Sequence, residues 1–387
     1  MVSMAHTHDK NYATQYKCLP AWSLTLLVGL LLLLLLSACG NSTTASPAYT
    51  ASNQAHTALN QASGTFNEYP LPQDKSGVMR PAVDGHGRVW FGEMGQNYLA
   101  SFDPQSKTFE QLKPPHGQAG IMGVIAAPDN TIWYAEQYAN YIGHYNPATR
   151  HFDTYFLPTV NKPDPGNSKQ TLSLPVAPNE LMLDQQGNIW FTEMNADAIG
   201  KLEVKSGKIT HYPLSNPRTV QQLSPYSIAL DKRGEVWFTN SGTNTLGRLD
   251  PNSGALHFYT PPTLVGQDPL SLMEIVSDPA GMLWISTFNT ATLIRFNSDT
   301  ETFTTYNAPM ISHGIQGIYG LLATSPNDIW ATVSVSNAIA HFNVKTKTFN
   351  YYPIPSPDCT PLGIAQAPDK SFWFTESATN QIGVLKP

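Results

Sequence analysis

Ten residues before each of seven tryptophans (Trp90, Trp133, Trp190, Trp237, Trp284, Trp330 and Trp373) the sequence places Arg80, Gly123, Glu180, Ser227, Glu274, Gly320 and Gly363. Glycine is the default there. Arg80, Glu180 and Glu274 depart from it, and charges crowded into one small place are costly unless they pair or are used. Two carboxylates can hold a divalent cation (magnesium or calcium) or accept from a substrate hydroxyl, and an arginine can hold an anion. An Arg–Glu pair in a solvated channel is the alternative. Asn179, Tyr226 and Ser227 join Arg80 as candidate substrate-binding residues. A second pattern is a rhyme between His116-Gly117-Gln118-Ala119-Gly120 and His313-Gly314-Ile315-Gln316-Gly317, each His seventeen residues before its Trp. Either His could act as a general base or ligand, or simply be a polar loop residue. Glu93, Glu136, Glu193 and Glu376 recur three residues after a Trp, and that recurrence points to a hydrogen-bonding part of the repeat. The sequence has no phosphate-binding glycine loop, no nucleophile elbow and no clustered Cys/His spacing.

The elements that must position these side chains follow from the repeat. The Trp spacings are 43, 57, 47, 47, 46 and 43 residues. A period in the forties with one turn-Trp signature per repeat is the mark of a propeller blade. In the third repeat, 179–183 is an apolar run, Asp184-Gln185-Gln186-Gly187 a hairpin loop and 188–193 a second strand. The run 199–203 alternates in polarity, and 208–212 ends at Pro213. Asp103-Pro104, Asn146-Pro147 and Asp250-Pro251 mark the third turn in other copies, with Pro pre-setting a type I geometry. Each blade therefore has four strands, and its Trp packs blade on blade. Residues ten to twelve before each Trp share a rim with those three to five after it, and the connections between blades cross the same rim. A ligand is expected in that mouth. Residues 159–174 lengthen one such connection beside Glu180, as a partial cover or a plain insertion.

The last repeat ends at Pro387, fourteen residues after Trp373, with three strands. The run Phe66-Asn67-Glu68-Tyr69-Pro70-Leu71 matches the ends of other fourth strands, such as Tyr212-Pro213-Leu214. An N-terminal strand is thus expected to complete the seventh blade and remove an exposed sheet edge. The fold class is all-β, a seven-bladed propeller over 64–387.

Before it lies an apolar run, 23–36, preceded by Lys10 and Lys17 and ending in Leu36-Ser37-Ala38-Cys39. The run is short for a membrane span and suits a signal peptide (1–38), with Cys39 as a lipidated residue in a lipobox-like sequence. Residues 39–63, beginning at that cysteine, read as a Ser/Thr/Ala/Asn-rich linker. The expected location is the outer face of a bacterial membrane, or the outer membrane where one exists. Cys18 would leave with the signal, so Cys359 stands alone and no disulfide braces the domain. A net charge of −6, 13% charged residues and no Lys/Arg run argue against nucleic acid as a partner. A small molecule in the channel, the membrane through Cys39, and a monomer are the partner expectations.

With Trp-Phe-Thr-Glu, Ile199-Gly200, Ile382-Gly383 and Tyr-Pro-Leu-Pro, residues 64–387 resemble the streptogramin B lyase (virginiamycin B lyase) family, and more distantly the SMP-30/gluconolactonase propellers. The resemblance implies elimination on a cyclic depsipeptide ester, with a His base and a magnesium ion held by acidic residues. The family's two His positions fall on Tyr319 and Leu362, and its acidic ligands on Thr360 and Glu376. Tyr319, His116 and His313 are therefore the candidate catalytic groups, and Glu180, Glu274 and Glu376 the candidate metal ligands. The expected function is small-molecule binding by a membrane-anchored propeller without the family's lyase histidines. The alternatives are a metal-dependent lyase or lactone hydrolase with a rebuilt site, and a protein-interaction scaffold.

Overall fold

Each repeat folds as an antiparallel four-stranded sheet in the computed structural model, which describes residues 60–164, 167–215, 222–262, 271–309 and 317–387. All regular structure among these residues is β, arranged as a seven-bladed propeller. Blade three shows the plan. From the axis outward it runs Pro178–Leu183, Ile189–Glu193, Ala198–Glu203 and Lys208–Pro213. In blade seven the three strands Pro361–Gln366, Phe372–Glu376 and Gln381–Lys386 are joined on the outside by Thr65–Pro70, antiparallel, with Thr65 opposite Lys386. Asn60–Gln61 adds a short parallel pairing to Thr348–Pro353, the outer strand of blade six. The long connection before blade three is a hairpin of its own, Thr159–Asp164 with Asn167–Pro175. Lys162 on that hairpin reaches Asp197, in the turn after the second strand of blade three, at 3.2 Å.

The repeated Trp explains why sheets of this length stack. The described residues form seven apolar cores. Each joins the Trp of one blade to the next blade's strands, including one in which Trp373 of blade seven meets Val78, Val89 and Phe91 of blade one. Four of the indoles are also locked in place by a hydrogen bond. In blades one, three, four and five the indole N–H donates to an Asp six residues earlier (Asp84, Asp184, Asp231, Asp278) at 2.8 to 3.1 Å. That Asp also accepts the N–H groups of its own hairpin turn, so one carboxylate fixes both the turn and the ring. In blades two to six a basic or imidazole side chain stands opposite the Trp on the third strand, Lys201, Arg248 or Arg295 over the ring face and His144 or His341 against it. The Ile-Gly pair of that strand has a steric cause. A Cβ on Gly200 would press into the Phe191 ring that follows the Trp.

Near the axis the inner strands share one irregularity. Every inner strand carries a β-bulge at the two residues eleven and ten before its Trp, such as Asn179/Glu180 and Tyr226/Ser227. A bulge leaves its residues out of the ladder and re-aims their side chains. It also frees backbone groups, which must find partners elsewhere.

Candidate functional site at the propeller axis

Those freed backbone groups are satisfied from blade to blade. The N–H of the second bulge residue bonds a hydroxyl two residues after its own blade's Trp: Thr192, Thr239, Ser286, Thr332 or Thr375. Four of these hydroxyls donate onward to the bulge carbonyl of the next blade, Tyr226, Met273, Tyr319 or Leu362. Blades one and two have Gly92 and Ala135 in that place. The second bulge side chain then accepts the next blade's N–H. Glu180 takes Ile228 at 3.3 Å, Ser227 takes Ile275 at 3.0 Å and Glu274 takes Leu321 at 3.0 Å. Where the repeat has Gly320 or Gly363, an added Cβ would collide with the neighbouring inner strand, so close approach replaces the side-chain bridge. Gly363 faces Pro81, which has no N–H to satisfy.

The sequence candidates meet on this frame. Arg80 Nε lies 2.7 Å from Glu274 Oε1 and 3.7 Å from Glu180 Oε1, so one guanidinium stands between the two carboxylates. Its charge also lies 5.1 Å over the Tyr226 ring and 5.8 Å over the Tyr319 ring, and the two phenols hydrogen-bond each other. Asn179 donates to the Tyr226 carbonyl at 2.7 Å and accepts from Gln137 at the rim. Both remaining guanidinium nitrogens of Arg80 are buried without a hydrogen-bond acceptor among the described residues. The Glu180 side chain is 18% exposed and is the open member of the cluster.

Burial alone would weaken the Arg80 charge, yet Glu180, the two tyrosines and Glu274 outweigh it and hold the guanidinium well above its ordinary value. Burial drives the Glu180 carboxyl up from 4.5 to about 7, with Arg80 opposing and Glu274 assisting. Burial and the neighbouring Tyr226 push Tyr319 well above 10, the wrong direction for a base near neutral pH. Tyr319 takes part in this cluster as the hydrogen-bonding partner of Tyr226.

The remaining candidates lie elsewhere. Glu376 is not with Glu180 and Glu274. It is buried within blade seven, where Oε2 accepts from Thr379 at 3.1 Å and Gln381 at 3.3 Å and Oε1 has no donor. Burial and the adjacent Glu68 raise its carboxyl to about 8. The expected three-glutamate metal set is therefore not assembled, because the carboxylate three residues after a Trp faces its own blade's outer strand. Glu93 meets Gln111 and Glu193 meets His211 in the same way. His116 sits at the mouth beside Glu136, at 3.1 Å. His313 and Cys39 lie outside the described residues. A separate cavity of about 790 Å³ opens at the far ends of the inner strands of blades three to five, by Asp184, Lys232 and Pro279. It does not include the Arg80 cluster.

The hydroxyl relay was missed in the sequence, although its signal was there: Thr or Ser two residues after the Trp in five repeats. Pro81 at the ring seam carried no signal of its own.

Comparison with known proteins agrees with this architecture. The model of the Virginiamycin B lyase family matches residues 263–387. A streptogramin B lyase structure superposes with a TM-score of 0.71 at 27% identity, covering 84% of this chain and 97% of that one. The chain has a propeller fold similar to that of virginiamycin B lyase. Virginiamycin B lyase from Staphylococcus aureus superposes at a TM-score of 0.70 and 23% identity, covering 84% and 100% of the two chains. The extracellular domain of a hybrid two-component system from B. thetaiotaomicron gives a TM-score of 0.63 at 18% identity, with 84% of this chain and 42% of that one covered. No curated sequence matches the chain. In this lyase-like propeller, Tyr319 and Leu362 occupy the two positions where the resemblance implies histidines, and Thr360 stands where it implies an acidic ligand. The residues present do not fit the implied magnesium ion. Thr360 brings no carboxylate, and no group of three or more His, Cys, Asp or Glu among the described residues could hold a metal.

Proposed function

We propose that this chain is an exported, lipid-anchored lyase-like propeller that binds a small molecule at the mouth of its axis and does not carry out the family's elimination. The carrying observation is Arg80, whose two outer nitrogens are buried donors without acceptors among the described residues, beside the partly exposed Glu180. Buried donors left unmatched cost about 1–3 kcal/mol each, and a ligand oxygen placed there recovers that cost. Glu180 and Glu274 stand beside the Arg80 guanidinium and offset its charge, which favours carbonyl and hydroxyl oxygens over a strong anion. Loss of the elimination follows from the groups at the base positions. Leu362 moves no proton, and Tyr319 holds its own too tightly. Export and anchoring rest on the 23–36 apolar run and the Leu36–Cys39 signal.

The test is thermal unfolding of the full chain with EDTA, with magnesium, calcium or manganese, and with cyclic esters. Quinupristin heads that panel, being the compound named with an inactive virginiamycin B lyase of Staphylococcus aureus. A ligand that binds only the folded state raises the melting temperature by mass action. The expected result is a ligand-dependent rise, absent in Arg80→Met, with no ion dependence and no linearised product. An ion-dependent rise that Glu274→Gln abolishes, together with ring opening of quinupristin, would replace binding with catalysis.

A further inference from the structure

Blade two departs from its siblings in how its repeated glutamate is met. In blades one and three the outer strand of the same blade supplies the partner: Gln111, opposite Ala100, for Glu93, and His211, opposite Gly200, for Glu193. The equivalent residue in blade two is Thr154, opposite Gly143. Glu136 is instead met by His116, which comes from the connection between blades one and two, with Nδ1 3.1 Å from Oε2. Its Nε2 meets no partner among the described residues, and a quarter of the side chain is exposed (25%). The imidazole is fixed by stacking on Tyr141, with centroids 3.6 Å apart and planes 12° off parallel. Tyr141 in turn meets Phe156 edge-on at 5.3 Å, and Phe156 is 59% exposed, the most exposed large apolar side chain described. Tyr141 begins the third strand and Phe156 ends the outer one, directly opposite each other, so all four groups lie along the mouth edge of one blade.

We propose that His116 and Glu136 form a general-base pair at a second site, on the mouth edge of blade two, which hydrolyses small aromatic esters whose ring packs against Phe156. Glu136 is the positioning residue. By accepting Nδ1–H it leaves the Nε2 lone pair facing out, the arrangement a base needs. Nε2 takes a proton from water as the water oxygen bonds to the ester carbonyl carbon. The tetrahedral adduct then expels the aryloxide, and the proton on Nε2 passes to it. Water is the only co-reactant, and at an exposed edge it is available. Partial burial keeps His116 below its ordinary value and so neutral near pH 7, while burial raises Glu136 to about 7. The titratable groups facing Glu136 are Tyr134 on its own strand and His116 on the connection, so the rate should climb as Glu136 ionises.

The experiment uses the full chain with p-nitrophenyl acetate as the probe. The expected rate exceeds that of equimolar free imidazole by about 10²-fold, the lower range for a positioned base. His116→Ala should remove that excess in a chain that stays folded by circular dichroism, with a lower melting temperature because the buried Glu136 loses its partner. Phe156→Ser should raise KM and leave kcat, and Glu136→Gln should lower kcat and move the midpoint of its pH profile. A wild-type rate no higher than imidazole, or a His116→Ala variant as fast as wild type, overturns the proposal. A normal pH midpoint in Glu136→Gln overturns the pairing.

Discussion

The axial cluster sets three ionisable side chains where three of the other four repeats keep glycine and the fourth has Ser227, and its energetics are those of a buried triad. Each carboxylate serves twice, accepting a backbone N–H from the next blade and facing Arg80. Arg80→Met should therefore cost about 3–5 kcal/mol, since it strands two carboxylates in low dielectric. Glu274→Gln keeps the amide oxygen for Leu321 and should cost less; urea unfolding of both variants checks the order. Titration at this scale also sets a direction for pH. Glu180, Glu136 and Glu376 have carboxyls raised from 4.5 to about 7, 7 and 8, chiefly by burial. Between those limits the folded chain holds more protons than the unfolded one, so stability is full below about pH 4.5 and is lost as pH rises through 7 to 8. His211, held protonated by Glu193, acts in the same sense. Asp103, Asp184 and Asp369 are lowered and withdraw their support only in stronger acid. Melting should be highest near pH 5 and several degrees lower at pH 8.5. A scan that rises from pH 5 to 8.5 would show that these carboxyls do not set the balance.

At the scale of the strand, what the sequence made legible was whatever recurs from blade to blade. The Trp period, the hairpin Asp and the Asx-Pro turn are local signals with local causes, and they located all seven blades. The bulge was not legible. It arises from the register between two strands and leaves no residue type behind, as Met79, Asn179, Tyr226 and Leu362 all sit in its first position. Position ten before the Trp could still be read as an axial site, because its side chains depart from glycine. Which partner each would take depended on the next blade, and so did the fate of Glu376, whose neighbours come from strands remote in sequence. The hydroxyl relay offers a clean test of the inter-strand frame. Thr239 accepts from Ser227 N–H at 3.1 Å and donates to the Met273 carbonyl at 2.7 Å. Thr239→Val preserves shape and strands both groups, so a loss of about 1–3 kcal/mol is expected. Thr239→Ser should recover most of it. Equal losses in the two variants would assign the effect to packing of the methyl group instead.

A ring of seven blades has seven interfaces and one place where the chain's two ends must meet. That seam is held in two ways. One is the core between Trp373 and blade one, built like the other six. The other is Thr65–Pro70 against Gln381–Lys386, a pairing of residues about three hundred positions apart. Phe66 meets Phe374 edge-on at 6.1 Å, and Tyr69 stacks on Trp373 at 6.0 Å while touching Phe102 of blade one at 4.5 Å. The outer strand of blade seven thus reaches into the neighbouring interface, and the clasp and the core share side chains. Pairing so remote in sequence forms late and pays its loop-closure entropy at the end, so it adds most to resistance against opening. Removing residues 60–70 should lower stability by a few kcal/mol, on the scale of partly exposing two aromatic side chains. It should also leave Gln381–Lys386 as a bare edge, on which chains can pair. Chain association in light scattering and a lower melting temperature are the expected outcomes. If the shortened chain instead melts like the full one and stays monomeric, the Trp373 core alone closes the ring, and the N-terminal strand is a covering layer.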